Sequence, residues 1–122
     1  MMSEDKQPNR KLSNGVNFSQ KHCVPCEGGV MPLFRTKAEE YLKDIPGWSL
    51  SEDAKKISKT FTFKNFKEAL AFANRVGGVA EAERHHPDML VGWGKVGITL
   101  TTHAIGGLSE NDFIIAAKID EL

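Results

Sequence analysis

The chain has no excess of either charge: 16 lysines and arginines balance 16 aspartates and glutamates. With no basic stripe and no lysine cluster, nucleic acid and anionic membrane are excluded as electrostatic partners. No apolar run approaches the roughly 20 residues of a membrane span. The first 22 residues are polar and acid-containing and lack the apolar centre of a secretory leader. These absences make a cytoplasmic protein the expectation. Cysteine is scarce too, with only Cys23 and Cys26. Their C-x-x-C spacing after His22 fits a redox pair, half of a zinc site, or a segment whose thiols are simply reduced. The segment offers three ligands at most, and a tetrahedral site needs four.

What is present is one domain of sequence. At 122 residues and 40% apolar, the chain can bury a small core, and association with further copies would help it. Residues 1–32 lack periodicity and read as a flexible N-terminal extension carrying the C-x-x-C; the domain spans 33–122. Thr36-Lys37-Ala38-Glu39 has capping-box form, and Ala38, Tyr41, Leu42 and Ile45 follow on one helical face until Pro46-Gly47. Trp48–Leu50 reads as a short strand. In Lys56–Phe63, Ile57, Phe61 and Phe63 share one parity and Ser58, Thr60 and Thr62 the other, as in a half-buried strand. Asn65 caps a second helix whose apolar positions exceed what one sheet face needs, which points to a homo-oligomer. Pro87 disfavours helix at His86, so this helix ends before it. Asp88–Trp93 and Lys95–Thr102 read as strands joined at Gly94, and Ser109 caps a last helix. The order predicts a two-layer α+β domain: a four-stranded antiparallel sheet with three helices packed on one face.

Three of the four histidines, His85, His86 and His103, fall within residues 85–103. Histidine gives and takes protons near neutral pH, so this concentration points to acid–base chemistry. Glu81 lies four residues before His85, placed to face it along a helix. A regular strand through Thr102 projects His103 from the polar face. Ser109-x-x-Asp112 has capping-box form, which gives Asp112 a purely structural reading beside any functional one. A zinc site of the histidines and Glu81 is disfavoured, because neighbouring His85 and His86 point apart and Pro87 distorts the helix end.

Glu81, His85-His86-Pro87, Trp93, His103 and Asp112, at these spacings, resemble the signature of the pterin-4a-carbinolamine dehydratases. Pro46-Gly47-Trp48, Phe61–Phe66 and Gly107–Phe113 are similar to the same family, so the resemblance covers about residues 33–120. Cys23-x-x-Cys26-Glu27-Gly28-Gly29 resembles an extension of some members only. The resemblance implies an α+β fold, homodimers or homotetramers, and a hydro-lyase that dehydrates 4a-hydroxytetrahydropterin to the quinonoid dihydropterin. That reaction recycles the pterin of aromatic amino acid hydroxylases. It implies no metal and no cofactor, the pterin being the substrate. It implies His85 and His103 as the acid–base pair, with His86 placing the substrate. Glu81, Trp48, Trp93 and Asp112 are the further expected substrate-binding residues. Family relatives also include transcriptional coactivators and assembly factors, so a non-enzymatic binding protein on this fold is the alternative.

Overall fold

The computed structural model describes residues 17–25 and 30–122. Cys26, Gly28 and Gly29 of the predicted extension lie outside the described residues. In chain order the elements are α1 (Arg35–Leu42), β1 (Ser49–Leu50), β2 (Ile57–Thr62), α2 (Phe66–Glu83), β3 (Asp88–Gly92), β4 (Lys95–Leu100) and α3 (Glu110–Asp120). Short 3-10 turns occur at Phe18–Gln20 and His103–Ile105. The four strands form one antiparallel sheet in the order β1-β2-β4-β3. This is the α+β architecture expected from the sequence. Among the described residues, no helix is long and apolar enough to cross a membrane.

Strand alternation sets the layers. Ile57 of β2 and Val96, Ile98 and Leu100 of β4 are buried, while Ser58, Thr60 and Thr62 on the other parity are exposed. Onto the apolar face α2 lays Ala69, Phe72, Ala73 and Val76. Phe72 meets Phe61 and Phe63, with ring centroids 4.8 and 5.0 Å apart. The β3–β4 hairpin needs a residue without a side chain at Gly94. A Cβ there would lie 3.0 Å from the Phe63 carbonyl oxygen, and the Gly94 carbonyl accepts the Phe63 N–H at 2.7 Å. Helix starts follow the sequence at two places of three. Asn65 accepts the Glu68 N–H, and Ser109 with Asp112 closes a capping box, a device worth about 1 kcal/mol. At α1 the helix begins one residue earlier than Thr36, at Arg35, and its N-cap Phe34 makes no side-chain bond, so the predicted Thr36 box does not form.

Helix α3 buries residues 111–116 without interruption. Packing on one side cannot do that, because a helix turns a new face every residue. The second cover is part of the predicted extension. Phe18 is 2% exposed, with its ring 5.0 Å from Tyr41 and 5.9 Å from Phe113, centroid to centroid. Lys118 Nζ donates to the Ser19 carbonyl at 2.8 Å. The packed core therefore reaches upstream of the expected boundary at residue 33. A lone aromatic with no periodic neighbours gave no sign of this.

Candidate active site

The end of α2 determines how the histidines are presented. Arg84 adopts a left-handed conformation, φ 57°, and the His85 N–H bonds to the Ala80 carbonyl at 3.2 Å. That irregular turn breaks the helical register between Glu81 and His85. Glu81 faces His86 instead, with its Oε2 2.7 Å from His86 Nε2. The expected Glu81–His85 pairing is corrected accordingly.

His85 turns inward onto α3. Its Nε2 lies 2.6 Å from Asp112 Oδ1, and its side chain is 12% exposed. Asp112 is fully buried. Its Oδ2 accepts the Thr102 hydroxyl at 2.7 Å and the Ser109 N–H at 3.0 Å. Thr102 has one hydroxyl proton and gives it to Asp112, so the Ser109 hydroxyl donates to Thr102 Oγ1 across 2.7 Å. A carboxylate oxygen only accepts, so the Asp112 bond puts hydrogen on His85 Nε2 and leaves Nδ1 as the nitrogen open to a ligand. Asp112 thus serves two ends at once: it caps α3 and orients His85. It is buried and fully bonded, with no surface turned outward.

His103 does not extend from β4. The strand stops at Leu100, and Thr102 bridges to Gly107 before the 3-10 turn that begins at His103. Gly106 closes that turn at φ 72°, in the left-handed region that favours glycine. His103 is exposed. The three histidines nevertheless share one cavity of about 470 Å³, lined also by Thr101, Thr102, Glu83, Asn111 and residues 23–25. That volume is of the size that holds a small ring system.

Trp48 and Trp93 do not reach it. The Trp48 indole sits in the core, 6% exposed, with its N–H donated to Asp120 Oδ2 at 3.0 Å. Trp93 follows β3, which rises about 3.3 Å per residue away from the histidines, and it stands 72% exposed at the hairpin turn. Two lining residues had no signal in the sequence. Glu83 is nine-tenths covered and accepts the Cys23 N–H at 2.8 Å; that bond, helped by His22 and Lys118, holds its carboxyl below the usual glutamate range against the opposing effect of burial. Asn111 reaches back to Val24. Both meet partners at least 60 residues away, which no local pattern reveals.

The family model described as pterin 4 alpha carbinolamine dehydratase matches residues 31–122. The chain belongs to the pterin-4a-carbinolamine dehydratase family. Two bacterial relatives with provisional pterin-4-alpha-carbinolamine dehydratase names agree. The one from Halorhodospira halophila is 53% identical over 107 residues, covering 88% of this chain and 98% of the relative. The one from Methylococcus capsulatus is 51% identical over 109 residues, covering 89% and 96%. Among solved structures, the transcriptional coactivator/pterin dehydratase from Brucella melitensis is similar at a TM-score of 0.70 and 30% identity, covering 74% of this chain and 96% of that one. A pterin dehydratase-like protein identified as a RuBisCO assembly factor in the alpha-carboxysome is similar at 0.54 and 25%, covering 62% and 88%. In this pterin-4a-carbinolamine dehydratase family member, the residues of the family resemblance divide into two sets. His85, His86 and His103 line the cavity, and Asp112 supports it from within, whereas Trp48 and Trp93 stand elsewhere.

Proposed function

We propose that the protein dehydrates 4a-hydroxytetrahydropterin to quinonoid dihydropterin and water, with His85 and His103 as the acid–base pair. The observation that carries this reading is the convergence of three histidines on one cavity, one of them held by a buried carboxylate. Loss of water breaks the C4a–O bond and the N5–H bond. One imidazole protonates the departing hydroxyl and the other takes the N5 proton, so the protein is unchanged once the two exchange protons with solvent. His85, fixed in orientation by Asp112, works through Nδ1. His86, more open and steered by Glu81, holds the ring. The reaction in this form needs no metal and no cofactor beyond the pterin, and its product returns a cytoplasmic pterin to use by aromatic amino acid hydroxylases. Phe66 and Leu70 on α2 are 46% and 43% exposed, which supports a homodimer or homotetramer that covers them.

The second reading, a coactivator or assembly factor, is favoured by what the two solved relatives are named for. A protein that only bound a partner would not need His85 tied to a buried aspartate. A spectrophotometric assay of carbinolamine dehydration tests the enzyme reading. His85→Ala and His103→Ala should each lower kcat by about 10²-fold or more while the far-UV spectrum stays native. Wild-type rates in either folded variant would remove the assignment.

A further inference from the structure

Residues 21–25 approach the histidine cavity from a side that the acid–base reading leaves unused, and side chains from two helices hold them there. Glu83 at the end of α2 takes the Cys23 N–H at 2.8 Å and His22 Nδ1 at 2.9 Å, with Lys118 Nζ 3.7 Å away. Asn111 of α3 bonds both backbone groups of one residue. Its Oδ1 accepts the Val24 N–H at 3.1 Å, and its Nδ2 donates to the Val24 carbonyl at 2.6 Å, as an adjacent strand does. Further upstream, Phe18 is fixed in the core. The result places Cys23, Val24 and Pro25 in the wall of the cavity that His85, His86 and His103 also line. The match to the Halorhodospira halophila relative takes in 107 of the 122 residues, so it necessarily extends upstream of residue 31, where the family model starts, into this segment.

We propose that residues 21–25 form a specificity strap, a fixed wall that selects the substituent a pterin carries beside its reacting nitrogen. The inference rests on the dehydratase reading. N5 loses a proton in that reaction, and C6 is bonded to N5. Whatever hangs on C6 therefore lies within a few bonds of the reacting atoms and must run along a wall of the same cavity. The histidine wall is committed to moving protons. Val24 and Pro25 offer apolar surface with no proton to exchange, and Val24 is 65% exposed and available for contact. An aliphatic or hydroxyalkyl C6 side chain gains that contact; a bare ring does not.

The strap can be released from a distance. Phe18→Ala removes its core anchor and alters no residue of the cavity. Val24→Pro removes the N–H that Asn111 accepts, at a position already restricted to extended geometry by Pro25; it decides the matter if Phe18→Ala does not fold. Hydrogen–deuterium exchange of residues 17–25 reports release, and fluorescence titration gives the affinity of a C6-hydroxyalkyl dihydropterin and of the C6-unsubstituted ring. Release should weaken the first about tenfold and the second by less than about threefold. In Phe18→Ala, whose changed residue lies outside the cavity lining, kcat for the matching carbinolamine should stay within about twofold of wild type. Equal losses for both ligands, or none, in a folded variant with a freely exchanging strap would overturn the proposal; a strap that was merely structural would lower the active fraction and leave the ratio alone. Strap-dependent binding by a wild-type protein without turnover keeps the strap and overturns dehydration. Turnover without strap dependence does the reverse, and a wild-type protein that binds neither dihydropterin overturns both.

Discussion

His85 and His86 are adjacent in sequence and differ in almost every physical respect. The His85 side chain is 12% exposed and ends on a carboxylate that is fully buried. The His86 side chain is 59% exposed and ends on Glu81, itself 79% exposed. Both pairs are short, 2.6 and 2.7 Å, so distance does not separate them. Setting does. An ion pair in water is screened and contributes about 0–1 kcal/mol, whereas breaking a buried pair leaves an uncompensated group and costs about 3–5 kcal/mol. The divergence begins at two backbone features: left-handed Arg84, which ends α2, and Pro87, whose ring disfavours helical geometry at His86. One histidine is thereby built into the domain, and the other is offered to the cavity mouth.

The largest effect should come from the buried side. Asp112→Ala removes the acceptor of His85 Nε2, of the Thr102 hydroxyl and of the Ser109 N–H together. We expect a loss of about 3 kcal/mol or more in urea unfolding, from orphaned donors and the opened capping box. Asp112→Asn keeps the shape and isolates the catalytic part. It should lower kcat by about 10²-fold with KM little changed, because a misdirected His85 fails in the transition state rather than in binding. A kcat close to wild type in folded Asp112→Asn would break the comparison, since the two histidines would then differ in burial but not in task.

The exposed side predicts a different kinetic pattern. His86→Ala should raise KM roughly tenfold and change kcat much less, as expected when an interaction shared by ground and transition states is lost. Steady-state kinetics beside His85→Ala gives the contrast directly. An unchanged KM with a collapsed kcat would mean that His86, not His85, is the partner of His103.

How much of this contrast was legible depended on whether the cause was local. Pro87 announced that the two rings would diverge, and the parity of Ile57, Phe61 and Phe63 announced which face of β2 would be covered. Ser109-x-x-Asp112 was readable as a capping box, and the box is there. The second task of Asp112 was not readable, because His85 is 27 residues away and meets it only through packing of α2 on α3. The Glu81–His85 spacing suggested a helical pair that a left-handed arginine, a conformation rarely adopted by any residue but glycine, then disrupted. The strand expected to carry His103 ended two residues early in a 3-10 turn. Phe18, one aromatic in an aperiodic stretch, could not be told from a tail residue until α3 was seen to need a second cover. The periodic framework was thus accessible, and the long-range polar contacts that aim the site were not.

The smallest expected effect is at Glu81, and it sharpens the comparison most finely. Glu81 and Asp112 are both carboxylates on histidine Nε2 atoms, but only Asp112 is buried and bonded to Thr102 and Ser109 as well, so the Glu81 variant reports the exposed pair by itself. Glu81→Ala should change stability by less than about 0.5 kcal/mol, because an exposed pair gains little over separate hydration. Its kinetic consequence passes through the orientation of His86, so KM should rise about two- to threefold with kcat unaltered, a fraction of the His86→Ala effect. Salt supplies an independent check: at about 1 M ionic strength the screening length falls to about 3 Å, and wild type should approach the KM of Glu81→Ala while the Asp112–His85 pair is untouched. A Glu81→Ala variant whose kcat fell as far as that of Asp112→Asn would place the Glu81 carboxylate against the reacting pterin, and the difference between the two histidines would no longer follow from exposure.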